Sequence, residues 1–418
     1  MDVEGGAASA LANGTGFDMH FNTMSTAVRG PTSLSAMGGQ APRTFRPVRK
    51  TLTSLKPNST KKKRPSHFAV TMGMNSTKTV LTVGLAPNNN IVSYDPNTLQ
   101  PIRNFKLRGP NVVRQVLYSP SQENILCAAG KGGIFMYDVR KAGNAVAQQM
   151  VTNSLSTHCI DFGLGGTILA SGTEKGIVHF FDARNLGKTV GRYNDAHSDA
   201  VLSLTFDRQS PTKLYTTSAD GTASLYDVSA ANEDDAFVMC YNANCDVVHA
   251  IPFNHSSCDY VVLITSVNTL TIWDVEEGEC VVQYNAFHGI DYLLPRGHYD
   301  SACSRIVLYG GTFAEHNVVQ FSISLSADEG VNDPMQRVSI DGVYTDSHYG
   351  LVRDVCLSHS HGVGANGSVH QFYTCGEDAL ITLWKNDHKY LSKHKRDGLK
   401  RKGNHGGNIS NHKNLKKM

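Results

Sequence analysis

The sequence predicts an all-β chain folded as a propeller of seven blades, and three observations support that expectation. An aromatic residue, usually followed by Asp, ends an alternating run of apolar residues seven times: Tyr94, Tyr137, Phe181, Tyr226, Trp273, Phe321 and Trp384. Successive markers lie 43, 44, 45, 47, 48 and 63 residues apart, and the first five spacings sit at or just above the ~40–45 residues of one propeller blade. Two further short alternating runs precede each marker, separated by turn residues. In the fourth repeat they are AVLSLTF (200–206) and KLYTTSA (213–219), followed by a turn at Asp220-Gly221. The fifth has DVVHAIPF and DYVVLITS, and the seventh LVRDVCLS and QFYTC. Scattered strands of a sandwich would not keep so even an aromatic spacing.

The pattern is that of a seven-bladed WD40 β-propeller, expected over residues 43–389. Each marker ends the third strand of its blade, with apolar neighbours packed between adjacent sheets. The seventh repeat has three strands ending at Trp384 and lacks a fourth. The segment TFRPVRKTLTSL, 44–55, alternates enough to close the ring and remove an exposed sheet edge. The alternative, KYLSKHK after Trp384, is shorter and more charged. Residues 1–42 and 390–418 read as disordered tails, rich in Gly, Ser and Ala or in Lys, Asn and His.

Two repeats have the chemistry for a polar pin. In the seventh, His348, Thr374, Asp378 and Trp384 have suitable chemistry and order: His348 can hold Asp378, Asp378 can orient its turn, and Trp384 supplies a donor and apolar bulk. In the fourth, His197, Ser218, Asp220 and Tyr226 stand in the same order. A Ser-His-Asp catalytic reading is disfavoured because these residues recur with the repeat.

Charge is unevenly distributed. Residues 43–64 hold nine Lys or Arg and no acid, and 385–418 hold eleven against two Asp. The body, 65–384, holds 18 basic and 31 acidic residues, a net −13. Such a body disfavours nucleic acid and favours basic peptides, with the clusters NEDDA (232–236) and DVEEGE (274–279) as candidate contacts. No run nears the ~18 apolar residues of a membrane helix, so no membrane partner is expected. The start of the chain carries Asp2 and Glu4 where a signal peptide needs positive charge. Nine scattered cysteines with no CxxC pair suggest neither zinc nor a disulfide framework. His359 and His361 stand together without a third ligand at a fixed spacing, so no metal is expected. No phosphate-binding or metalloprotease motif appears, and GLGGT (163–167) falls between strands. No catalytic residue and no cofactor are expected.

The runs ILASGTEKGIVHFFDARN, AHSDAVLSLTF, YDVSAANEDDAFVMCYNANCDVVHAI and CGEDALITLWK resemble the WD repeat-containing protein 89 family, and the likeness spans about 65–418. The resemblance implies a non-enzymatic propeller and brings no catalytic or cofactor residue with it. Departures are visible in Phe181, which stands where a WD blade usually has Trp, and in blades without an initial Gly-His pair.

The expected role is a protein-interaction scaffold in a nuclear assembly, binding basic clients such as ribosomal or chromatin proteins, and monomeric outside its complex. Arg114 and Arg353, at matching places in the first strands of blades two and seven, are candidate partner contacts. Arg140 and Arg184, each two residues after the Asp of its marker, suggest the alternative of a substrate receptor for a cullin-4-type ubiquitin ligase. A further alternative is an RNA-associated factor using its basic tails. KKKR at 61–64 and the run containing Lys393, Lys395, Arg396, Lys400, Arg401 and Lys402 have the charge density of import signals. They point to the nucleus or nucleolus, with the cytoplasm as the alternative.

Overall fold

A computed structural model of the chain describes residues 44–52, 67–87, 89–106, 112–141, 146–150, 156–325, 337–358 and 371–385. All lie within the unit Leu34–Met418. The N-terminal stretch supplies β1 (Thr44–Phe45) and β2 (Arg49–Leu52). Blade one contains β3 (Phe68–Met74), β4 (Leu81–Ala86), β5 (Asn90–Tyr94) and β6 (Pro101–Lys106). Blade two contains β7 (Val113–Tyr118), β8 (Ile125–Gly130), β9 (Gly133–Asp138) and β10 (Val146–Met150). Blade three follows with β11 (Thr157–Gly163), β12 (Ile168–Thr173), β13 (Val178–Asp182) and β14 (Asn185–Tyr193).

Blade four has β15 (Val201–Phe206), β16 (Lys213–Ser218) and β17 (Thr222–Asp227), then the short helix α1 (Glu233–Ala236) and β18 (Phe237–Asn242). Blade five is β19 (Val247–His255), β20 (Cys258–Thr265), β21 (Leu270–Asp274) and β22 (Cys280–Tyr284). Blade six is β23 (Tyr292–Asp300), β24 (Arg305–Gly311), β25 (Val318–Ser324) and β26 (Val338–Tyr344). Blade seven has β27 (Val352–Leu357), β28 (Gln371–Gly376) and β29 (Leu380–Lys385).

Within each blade the strands pair in antiparallel order, first to last. The first strands touch one another in a closed cycle, from β3 through β7, β11, β15, β19, β23 and β27 back to β3, so they line the channel. Seven apolar clusters fill the gaps between neighbouring blades. The marker aromatics sit in these gaps. Tyr94, Tyr137, Phe181, Tyr226, Phe321 and Trp384 are buried, while Trp273 is partly exposed and donates to Thr271 of its own strand at 2.8 Å. Spacing the rings one blade apart therefore seals one gap per repeat.

The fourth strand of blade seven is β2, paired antiparallel with β29 in the register Arg49↔Leu383 to Leu52↔Leu380. The segment 44–55 does not form one strand. Thr44–Phe45 pairs parallel with Val343–Tyr344 of β26, giving blade six a fifth strand, and Phe45 stacks on Tyr344 at 4.9 Å. Pro47 accounts for the break: it has no N–H for a ladder, and the chain there steps from one blade to the next. Residues 53–55, and the alternative closing run KYLSKHK, lie outside the described residues.

Deleting residues 44–52 removes both strands and reopens the edge of blade seven. A loss of ~5 kcal/mol is expected, which lowers the thermal midpoint of so large a domain by roughly 10 °C. Calorimetry of the truncated chain checks this, and an unchanged midpoint would place the closure elsewhere.

Candidate interaction sites on the ring

The connection before blade seven brings His348 into the sheet. Its Nδ1 lies 3.1 and 3.0 Å from the two carboxylate oxygens of Asp378, and its Nε2 lies 2.8 Å from the Thr374 hydroxyl. Trp384 Nε1 donates to the same hydroxyl at 2.9 Å. Asp378 also accepts the Tyr349 and Leu380 N–H groups, both at 3.0 Å. Burial pushes its carboxyl up, but His348 and these two N–H groups more than offset it and hold the carboxyl below its usual range. The result joins a connection, a turn and two strands into one rigid corner.

Blade four repeats the device with one change of partner. His197 Nδ1 lies 3.0 Å from Asp220, and its Nε2 lies 2.7 Å from the Thr216 hydroxyl, not from Ser218. Ser218 sits at the turn itself, where it accepts the Asp220 N–H at 3.1 Å and donates to the Asp199 carbonyl at 3.2 Å. Gly221, at φ +88, completes the turn in a conformation that a side chain would strain. Tyr226 lacks the indole N–H, and its hydroxyl reaches the Ala196 carbonyl at 3.5 Å. The geometry is that of a fastening. The serine hydroxyl is directed into the turn rather than at the imidazole, as a nucleophile would be.

A second polar set, missed by sequence reasoning, belts the channel. Side chains of one first strand take backbone N–H groups of the next. Asp354 accepts Met72 N–H at 2.7 Å, Thr71 accepts Val116 N–H at 3.4 Å, Gln115 accepts Ile160 N–H at 2.8 Å and Asp161 accepts Phe206 N–H at 2.8 Å. Arg296 crosses from blade six to Asp354 at 3.2 Å, and Ser203 meets His249 Nδ1 at 3.0 Å. Burial pushes Asp161 up to about 6. Burial, helped by the nearby Arg296 charge, pushes His249 down to about 3. A charged residue in the middle of an alternating strand was the available signal, as in CIDFG and VRDVCL.

The four candidate contact arginines differ in their surroundings. Arg140 forms a two-pronged pair with Asp138 at 3.0 and 2.9 Å, and Arg184 with Asp182 at 2.9 and 2.8 Å. Their side chains remain 69% and 77% exposed. Arg353 pairs with Glu377 of its own blade, a structural bond within blade seven, while Arg114 is exposed and lies near His158. In the acidic clusters, Glu233 accepts the Asn194 and Asp195 N–H groups at 2.7 and 3.0 Å. Asn232 caps α1 through Asp235 N–H at 2.9 Å. Asp274 accepts the Glu276 and Glu277 N–H groups, leaving Glu276, Glu277 and Glu279 exposed. KKKR at 61–64, His359 and His361, and the run holding Lys393, Lys395, Arg396, Lys400, Arg401 and Lys402 lie outside the described residues. Among the described residues no group of three His, Cys, Asp or Glu is placed to hold a metal ion, and no helix is long and apolar enough to cross a membrane.

His348→Ala leaves Asp378 buried without its imidazole and is expected to cost about 2–4 kcal/mol in denaturant unfolding. Trp384→Phe, which loses the N–H donor and leaves a gap where the larger indole was packed, should cost a similar amount. The channel groups give opposing pH dependences. The lowered His249 contributes stability that is complete above pH 6.5 and is lost as pH falls towards 3. The raised Asp161 costs stability as pH rises from 3.8 through 6. Melting followed between pH 7.5 and 4.5 should therefore decline less steeply in His249→Gln and more steeply in Asp161→Asn than in the wild type.

Comparison with known proteins places this geometry. A family model described as the Nucleolar protein 10-like, N-terminal domain matches residues 100–295. WD repeat-containing protein 89 homolog of Dictyostelium discoideum is 26% identical over 236 residues, covering 54% of this chain. The match spans 59% of that relative's own length, less than two thirds. WD repeat-containing protein GTS1 of Arabidopsis thaliana is 24% identical over 328 residues, covering 74% of this chain and 79% of that one. A chain from a crystal structure of the mitotic checkpoint complex aligns at TM-score 0.60 and 16% identity, over 87% of this chain and 99% of its own, a likeness of fold. The chain is a seven-bladed WD40-type β-propeller related to the WD repeat-containing protein 89 family.

Proposed function

We propose that this propeller is a protein-interaction scaffold whose clients are basic proteins gathered in a nuclear assembly, such as ribosomal or chromatin proteins. The observation that carries the reading is where the ring keeps its acidity. Residues 214–295, which make up most of blades four and five, hold 12 Asp or Glu and no Lys or Arg, nearly all of the body's net −13. Some of these acids serve the fold, as Glu233 and Asp220 do, but Asp234, Asp246, Glu276, Glu277 and Glu279 are exposed. Exposed acids on a rigid frame attract and orient a cationic partner. The match to a nucleolar-protein-like family supports a nuclear or nucleolar location.

A second reading has its own observation. Arg140 and Arg184 follow the third strands of successive blades by two residues, each in the same two-pronged pair with Asp, and both are exposed. A ligase receptor could present such a matched pair to a propeller-bearing linker. The two readings differ in cells and in salt. Proximity labelling with the intact chain should mark pre-ribosomal or chromatin proteins, and captured clients should be released as ionic strength rises through ~0.15–0.5 M. Ligase subunits lost on Arg140→Ala with Arg184→Ala, with no salt-sensitive basic client, would replace the scaffold reading with the adaptor reading.

A further inference from the structure

Among the described residues the outermost strand of every blade but the sixth ends its sheet, and the edges are treated differently. Those of blades one, three and seven carry charge in PIRNFK, NLGKTVGRY and RKTL, which discourages pairing with another chain. That of blade six is covered by β1. Three carry no charge: VAQQM in blade two, FVMCYN in blade four and CVVQY in blade five. The first follows the basic stretch RKAGNA, whereas the other two each follow an acidic turn, EDDA and EEGE.

We propose that the edge of blade four, β18, takes up an extended basic segment of a partner protein as a fifth strand. This rests on the reading of the ring as a binder of basic proteins and assigns the place. The molecule itself supplies the precedent on blade six. There β1 adds to β26 at Val343 and Tyr344, three and four residues after Ile340, which pairs with the marker Phe321. In blade four the marker Tyr226 pairs with Phe237, so the same register positions are Cys240 and Tyr241. Cys240 is exposed, and Phe237 and Val238 beside it are 48% and 49% exposed.

Acid flanks this edge from both sides. Asp234 lies on α1, immediately before β18. From blade five, the turn bearing Glu276, Glu277 and Glu279 lies against the same strand: a side chain added at Gly278 would meet Met239 Sδ at 3.0 Å. An incoming strand would exchange backbone hydrogen bonds with β18, set apolar side chains beside Phe237 and Val238, and bring its Lys or Arg to these carboxylates. An acidic or neutral strand would lack the last of these contacts.

The test uses the full chain and a fluorescent alternating Lys–Val peptide, read by anisotropy at low salt. Binding should weaken about tenfold in Val238→Lys and again in Glu276→Lys with Glu277→Lys, all exposed positions, while Ile102→Lys on the edge of blade one changes nothing. Methylating alternate backbone nitrogens of the peptide should abolish binding, because strand addition needs those N–H groups and charge attraction alone does not. Equal binding of the methylated peptide, or of a Glu–Val counterpart, would overturn the proposal. Undiminished binding to the β18 variants would overturn the assigned edge yet leave the basic-client reading standing. No binding to the wild type would overturn the edge proposal, while salt-sensitive capture of clients in cells would still uphold the scaffold.

Discussion

Closure of the ring is the constraint on which the rest of the structure depends. Each sheet has two apolar faces and needs a neighbour on both, so an open row of blades would leave two faces in water. The seventh blade solves this by packing Tyr373, Cys375, Ile381 and Leu383 against blade one and Phe372 and Trp384 against blade six. Its own edge is completed by β2, from the far end of the chain. The last gap joins segments roughly three hundred residues apart in the chain, so the local repeats gain their full stability from one very long-range contact.

Given a closed ring, what remains is to keep seven similar sheets in register, and the chain does so in two ways. Blades four and seven use a buried His–Asp pair with a Thr behind the imidazole. Other gaps depend on bulk: Tyr137 is fully buried and tilted against Phe105 at 5.4 Å, and Phe181 fills its gap with a phenyl ring. The channel belt adds a third element between blades rather than within them. It links first strands by side chain to backbone, so neighbouring sheets are coupled where they approach most closely. Burial at the centre of the ring disfavours charge, which is why the Asp161 carboxyl is pushed up and the His249 imidazole is pushed down.

Most of this architecture was legible because it repeats. The marker aromatics fixed the blade count, and the His, Thr and Asp of the seventh repeat fixed its corner. In the fourth repeat Ser218 does join the corner, through the Asp220 N–H, but the hydroxyl that meets the imidazole, Thr216, was not singled out. Thr216 and Ser218 point to the same face of β16, and both could meet an imidazole in principle. The seventh repeat held the answer, since Thr374 stands four residues before Asp378 and Thr216 stands four before Asp220. The belt was harder to see, because which N–H a mid-strand Asp takes depends on the stagger between blades. The parallel pairing of Thr44–Phe45 was invisible, since two residues carry no periodicity. Averaging charge over the whole body also hid its concentration in residues 214–295.

That concentration bears on how one set of residues can serve both the fold and the surface. The acids of blade four lie where a connection must satisfy backbone N–H groups, and Glu233 does so for the start of blade four's own entry loop. Those of blade five lie in a turn that Asp274 alone already closes. The first group is therefore partly spent on structure, while Glu276, Glu277 and Glu279 have no such duty in the turn. A surface that binds through charge needs carboxylates whose hydration can be exchanged for a partner, and those already bound to N–H groups have less to exchange. The blade-five turn, lying against the uncharged edge of blade four, meets that requirement best, so under the proposed reading the selective element of the surface would belong to one blade and the pairing element to its neighbour.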